Sequence, residues 1–332
     1  MSSNIKIEFL KRKDINSFFF FINDNWKKNY IFIKDKIFFD WQFYNSKENI
    51  YNFIIAKHDK KIVGCLGFIL NNNYSKAFKK KDYLWLVNWY VIDKYKHLSL
   101  KLLQFLLKKK QYHFIGTIGC TKRTKKILKA LRFETGTLIH VACQNDLKKK
   151  FYLSKFKKNK SEIVTKKTMK IKKINRLEIK SFFRFLKPFN FKNEEYFLKR
   201  YFDHPSYRYI AFGLYENNLH LGFFICRECK FKNSKALKII DYHGNRLNLS
   251  NFFSNFKKIL ATKNYEFVDF YFYSKKNFYN YKNYLLKKNE VVPNYFEPFI
   301  KKNVKITFAF HTHDKFYNPY FVRGDCDQDR PN

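Results

Sequence analysis

The stretch Val91–Lys109, VIDKYKHLSLKLLQFLLKK, decides how the rest of the chain is read. It follows YLWLVNWYVI, residues 83 to 92, a run too short and too aromatic for a helix and therefore read as a strand. After a basic turn, Leu98, Leu102, Leu103, Leu106 and Leu107 recur at helical spacing. A strand that enters a helix through a basic turn is a common place to hold a phosphate, because amides at a helix N-terminus point at the anion and the helix dipole favours it. Glycine usually lets the chain approach closely at such a turn, and residues 91 to 109 contain none. The segment is therefore either a phosphate cradle without glycines or a plain crossover between two core elements.

Working outward, NFIIAKHDKKIVGCLGFIL (52 to 70) reads as two buried strands joined by a charged turn at His58 to Lys61, with Gly64 and Gly67 in the second strand. QYHFIGTIGC (111 to 120) returns as a strand, TKRTKKILKALRF (121 to 133) as an amphipathic helix with Ile127, Leu128 and Leu131 inward, and GTLIHVACQN (136 to 145) as a closing strand. The order then recurs. YRYIAFGLYENNLHLGFFIC (207 to 226) gives strand, polar turn and strand, ALKIIDYHG (236 to 244) a strand, and 249 to 260 a helix. YEFVDFYFY (265 to 273) supplies a further strand and NFYNYKNYLLKKNE (277 to 290) a further helix. Two copies of one α/β unit is the economical account. It predicts a first domain over 1–147, a basic linker over 148–170 anchored only by Phe151, Tyr152, Leu153 and Phe156, and a second domain with a C-terminal tail over 171–332.

A chain of 332 residues is long enough for two such cores. The 68 basic residues against 27 acidic ones give a formal charge of +41, nearly all of it lysine and spread along the chain. Solvated lysine faces explain it as well as an anionic partner does, since arginine makes the bidentate phosphate and base contacts. No apolar run approaches the roughly 18 residues of a spanning helix, and INSFFFFIN (15 to 23) lacks a signal-peptide cleavage pattern, so a cytoplasmic protein is expected. Cys226 and Cys229 have the spacing of half a zinc site without a second pair, so no metal is expected.

KKIVGCLGFI, DKYKHLSLKLLQFLL and ILKALRFETG together resemble the GNAT acyltransferase superfamily, well over 1 to 146 and weakly over 171 to 310. The resemblance implies an α/β fold of two tandem GNAT-like domains, each a mixed central sheet flanked by helices. FFDWQFYN, FETGTLIH and GDCDQDRPN are further similar to tandem members associated with surface-polysaccharide biosynthesis. In the superfamily the turn after the fourth strand wraps the pyrophosphate of acetyl-CoA, usually as Arg/Gln-x-x-Gly-x-Gly/Ala. Laid on that pattern, Lys96 takes the basic position, His97 and Leu98 the free ones, Ser99 the first glycine, Leu100 the next place and Lys101 the second glycine. The tyrosine that serves members as proton donor is Leu128 here, and the glycine of the Leu-Gly-Phe signature is Arg132.

By this resemblance an acyl-CoA is the co-substrate and the reaction is N-acyl transfer to a small amine, a nucleotide-linked amino sugar being the class in view. A backbone N–H near Val91 or Ile92 would polarise the thioester carbonyl, and Asn88 and His140 would contact the acceptor, with a structural role for His140 the alternative. In KIIDYHGN, Asp241 and His243 lie two apart and so on one strand face, where a carboxylate and an imidazole act together on a proton or meet by chance. Only Arg246 and Ser250 follow where a phosphate turn would lie, so the second copy reads as degenerate. Trp41, Gln42, Trp85 and Trp89 either stack on a sugar or base or belong to the core. The lysine-free end with Gly324, Asp325, Asp327, Asp329 and Arg330 reads as an ordered cap or a partner-binding tail, since it lacks the glycine and glutamate of a calcium loop. Two other functions remain: a non-catalytic binder of nucleic acid or another polyanion, and an aminoacyl-tRNA-dependent transferase.

Overall fold

The computed structural model describes residues 5–78, 83–157, 169–186, 192–245, 247–274, 278–315 and 317–329. The central part of the expected linker, residues 158–168, lies outside them, as do Arg246 and Arg330. Counting strands of three or more residues and helices of eight or more, the first half runs β1 (Ile5–Lys11), α1 (Ile15–Asn25), α2 (Lys36–Phe43), β2 (Ile50–His58), β3 (Lys61–Leu70), β4 (Tyr83–Val91), α3 (Leu98–Lys109), β5 (Phe114–Ile118), α4 (Lys122–Ala130) and β6 (Glu134–Thr137). There follow β7 (Ile139–Gln144), β8 (Met169–Ile174), α5 (Arg176–Phe185), β9 (Ile210–Glu216), β10 (Leu219–Phe231), β11 (Ser234–Gly244), α6 (Leu249–Thr262), β12 (Phe267–Ser274), β13 (Thr307–Thr312) and β14 (Tyr320–Val322).

Two mixed sheets result, each flanked by helices. The first has the order β1-β2-β3-β4-β5-β13-β6, antiparallel except for the β4/β5 pair. The second has the order β14-β12-β11-β10-β9-β8, with β7 on the other side of β12 and only β11/β12 parallel. Alternation along β2 shows why the strands are apolar throughout. Phe53 and Ile55 face an aromatic core with Phe18, Phe39 and Phe43, while Ile54 and Ala56 face Leu98, Leu102, Leu103 and Leu106 of α3. The leucines of α3 are spaced to bury one stripe, and Lys108 and Lys109 sit in its last turn, where they favour the negative end of the helix. On the second sheet α6 does the same with Phe252, Phe253, Phe256 and Leu260 against Phe224 and Phe270.

The two sheets exchange strands. The segment expected as one closing strand divides at Leu138: Glu134–Thr137 joins the first sheet and Ile139–Gln144 the second, antiparallel to β12. In return β13, from near the C-terminus, inserts between β5 and β6 of the first sheet. The helix expected over 277–290 does not form. Its described residues make a two-residue strand at Phe278–Tyr279, a single 3-10 turn at Lys282–Tyr284 and extended chain, with Asn280 and Asn289 in the left-handed region, which no helix interior accepts. At the end of α4, Arg132 adopts φ 64 and Phe133 N–H closes on Leu128 O at 3.0 Å, a helix stop of the kind glycine usually makes. No helix among the described residues is long and apolar enough to cross a membrane.

Candidate functional site

The parallel pairing of β4 with β5 lasts three residues, Tyr83↔Phe114, Leu84↔Ile115 and Trp85↔Gly116. Beyond it the strands part. A bulge in β4 marks the place, because Cys65 pairs with Tyr90 and Gly67 with Val87, leaving Asn88 at φ 47 with its carbonyl accepting from Cys65 Sγ. Between the arms lies a cavity of about 290 Å³. One wall is Val87, Asn88 and Trp89, the other Thr117 to Thr121, and Trp26, Lys27 and Tyr30 close the side. Asn88 Nδ2 donates to the Tyr30 hydroxyl at 3.2 Å. Cys120 lines the cavity with its thiol pushed up by burial, which keeps it protonated rather than a nucleophilic thiolate. Burial, helped by the charge of Lys34, lowers the Lys27 ammonium at the rim.

The base of the cavity is the C-terminal tail. Asp327 and Gln328 line it, and Cys326 Sγ lies 3.6 Å from the Leu86 carbonyl. Gly119 takes φ 85, a backbone conformation that L side chains rarely adopt, and a Cβ there would also push the Gln328 amide aside.

The turn at the end of β4 closes without glycine. A 3-10 turn at Asp93–Tyr95 leads into α3, and no residue from 92 to 101 takes a positive φ. His97 caps the helix with no side-chain hydrogen bond, the first turn holds no acid, and Lys96, His97 and Lys101 are exposed around it. Ser99 is half-buried and Leu100 exposed, while Leu98 is core. Of the expected oxyanion donors, the Ile92 N–H is committed to Val63 O at 3.0 Å. Amides alternate along a strand, so the Val91 N–H is turned away from β3, toward the side where β5 has diverged.

Searches of the sequence find no matching protein-family model and no matching curated protein. The architecture does match solved structures. A GCN5-related N-acetyltransferase from Anabaena variabilis superposes with a TM-score of 0.57 at 8% identity, covering 93% of this chain and 73% of its own. One from Kribbella flavida gives 0.53 at 8%, covering 94% and 71%. A protein of Enterococcus faecalis described as a probable N-acyltransferase gives 0.51 at 8%, covering 93% and 72%. The fold is that of the GCN5-related N-acetyltransferases.

The second sheet repeats the parting of strands that this acetyltransferase fold shows in the first. β11 and β12 pair in parallel over three residues, Leu237↔Val268 to Ile239↔Phe270, and then diverge. This gap is filled. β14 pairs with Phe272–Ser274 of β12, and Gly324 N–H donates to Ile240 O of β11 at 2.8 Å, so the tail bridges both arms. Behind it Lys192 Nζ binds Asp241 Oδ2 and Asp325 Oδ1, both at 2.8 Å. Burial alone would lower that ammonium, but the two carboxylates outweigh it and hold it above its usual value.

The sequence-predicted residues are not one constellation. Asn88 lines the open cavity, Val91 and Ile92 end the strand beside it, and Lys96 to Lys101 lie beyond its lining. His140 sits in the second sheet, stacked on Tyr271 and bonded through Nε2 to Asp269 Oδ2 at 3.0 Å, so it does not line the cavity of the first sheet. The expected Asp241–His243 pair is not formed. Residues two apart on a strand stand about 7 Å from each other, and both side chains are fully buried with separate surroundings. Asp241 accepts from Lys192 and from Tyr201 at 2.6 Å, whereas His243 packs among Phe183, Phe197 and Phe223, its imidazole lowered to about 3 by burial and the Lys192 charge. Trp41 packs at a tilt against Tyr74 and His204, and Gln42 and Trp85 are buried. Trp26, Tyr30, Thr117, Cys120 and Gln328 escaped the reading because they come from three separate segments with no common spacing.

Proposed function

We propose that this chain is an acyl-CoA-dependent N-acyltransferase working in the open gap between β4 and β5. The observation that carries the reading is the contrast of that gap, which opens on a cavity, with its filled counterpart between β11 and β12. The acyl-CoA thioester would supply an activated acyl carbonyl and a thiolate leaving group. The chain's own residues then have three tasks. The first turn of α3, without a side-chain cap and flanked by His97 and Lys101 while Lys96 pairs with Asp93 at 2.9 Å, holds the pyrophosphate on its amides. The Val91 N–H holds the carbonyl oxygen as charge develops on it. With Leu128 fully buried in the core, the proton for the leaving thiolate comes instead from the cavity wall, where the Tyr30 hydroxyl is held by Asn88. The acceptor is a small amine, and nucleotide-linked amino sugars of surface-polysaccharide synthesis belong in its first screen.

Equilibrium dialysis with labelled acetyl-CoA tests this reading, together with single-turnover transfer to a panel of amines. Saturable binding and an amide product are expected. Absence of binding at millimolar ligand contradicts it.

A further inference from the structure

A second, smaller cleft adjoins the open cavity, with walls from the other half of the chain. Arg227 of β10, Lys238 of β11 and Arg323 of the tail line it, as do Glu297 and Asp329. Tyr295 and Gln328 line both the cleft and the cavity between β4 and β5. Those two side chains stand between the two spaces.

The acids around the cleft are already bound. Asp329 accepts from Arg200 Nη2 with both oxygens, at 2.8 and 3.0 Å, and Glu297 accepts from Arg227 Nη2 at 2.8 Å. Asp269, behind the wall, accepts on Oδ2 from Lys238 Nζ at 2.9 Å, Arg323 Nη2 at 3.0 Å and His140 Nε2 at 3.0 Å. Burial lowers the His140 imidazole to about 4 despite Asp269, so it is neutral at pH 7. Four cations, Arg200, Arg227, Lys238 and Arg323, thus meet three carboxylates. The surplus positive charge is buried, with Lys238 and Arg323 each only 2% exposed. Lys238 and Arg323 share the one carboxylate of Asp269, whose Oδ1 is a buried oxygen without a hydrogen-bond partner among the described residues, and two buried cations on one counter-ion are costly to hold.

Two further observations agree. Arg323 Nη1 is a buried donor without a hydrogen-bond partner among the described residues. Burial, against the pull of Asp269 and with the push of Arg323, brings the Lys238 ammonium down to about 8, a strain that an added anion relieves. The cleft has a volume of about 30 Å³, room for about two water-sized groups. Two carboxylate oxygens meet that size and the single surplus charge; a phosphate dianion exceeds both.

Resting on the acyl-transfer reading above, we infer that this cleft is the subsite for a carboxylate of the acyl acceptor, which is therefore an amine that also carries a carboxylate. The amine lies in the cavity between β4 and β5 and the carboxylate beside Arg323 and Lys238. On transfer the C–N bond forms, the thioester C–S bond breaks, the amine gives up one proton and the thiolate takes one; the carboxylate is unchanged.

Two measurements on the full chain test it. The first compares kcat/KM for amino acids and their carboxamides at saturating acetyl-CoA. A preference of about tenfold or more for the carboxylate is expected, the worth of one hydrogen-bonded charge, and Arg323→Gln should erase that ratio. Equal use of the two, or preference for phosphorylated amines that carry no carboxylate, overturns the subsite. The second uses no coenzyme: thermal shifts in acetate, phosphate and chloride at equal ionic strength, for wild type, Arg323→Gln and the rim variant Arg227→Gln, which guards against misfolding of the first. Stabilisation specific to acetate and weakened in either folded variant supports the subsite even if acetyl-CoA fails to bind, which would sink the acyl-transfer reading alone. Equal shifts in all three anions overturn it.

Discussion

The two partings of strands are built alike and finished differently. Between β4 and β5 the sheet opens after three parallel pairs on a cavity of about 290 Å³. Between β11 and β12 it opens after the same number of pairs, and Tyr320–Gly324 closes it with strand pairing to one arm and the Gly324 amide to the other. A gap of this kind leaves backbone amides and carbonyls unpaired, which a folded chain must answer with water, ligand or more chain. The second gap is answered by the chain's own tail. That same tail then runs on to floor the first gap with Asp327 and Gln328, so one segment fills one site and shapes the other.

The largest effect that would break this comparison comes from the plug. Lys192→Met leaves Asp241 and Asp325 facing each other in the interior, and urea unfolding is expected to show a loss of about 3 kcal/mol, the range for a broken buried ion pair. An unchanged midpoint would mean the plug is not held as described. On the open side, Cys120→Phe fills the cavity, and acetyl-CoA binding measured by calorimetry should vanish while the unfolding transition is kept. Undiminished binding would place the ligand elsewhere.

Acid sharpens the contrast, because among the deeply lowered histidines His140, His204 and His243, at about 4, 3 and 3, the first and last lie in the second sheet, while His204 packs against both α2 and Tyr209. An imidazole lowered on folding takes its proton first in the unfolded chain, so its stability contribution is complete above pH 6.5 and is lost as pH falls from there toward 3. Each contributes a slope of about 1.4 kcal/mol per pH unit within its window. His243→Phe, among three phenylalanines, should make the measured loss shallower by one such proton, and an unchanged slope would contradict its burial as a neutral ring. The smallest effect is at the turn: Lys101→Glu should weaken acetyl-CoA about tenfold at low salt, from charge reversal at a helix N-terminus, and less at high salt.

Much of this was legible locally. The leucine spacing over 98 to 109 predicts a helix with the bounds observed for α3, and the glycine-containing hairpin of β2 and β3 and the aromatic strand β4 were equally plain. The lysine-free end was legible as either an ordered cap or a partner-binding tail, and in the structure Asp325 and Asp329 are buried. Pairing across the chain was not legible. TFAFHT, the sequence of β13, suits a strand in either sheet, and nothing in its alternation says that it lies between β5 and β6. For the same reason His140, read as part of the first half, belongs to the second sheet, and the Asp241–His243 spacing gave a common face but no contact. The cavity drew on Trp26, Tyr30, Thr117 and Gln328, brought together by the parting of two strands that a sequence pattern does not encode.

The most direct test of the central contrast is the stoichiometry of acetyl-CoA binding by calorimetry. One coenzyme per chain, lost in Cys120→Phe, is the predicted result. Two per chain, or none, would contradict an account in which one gap is open and its counterpart is filled by the tail.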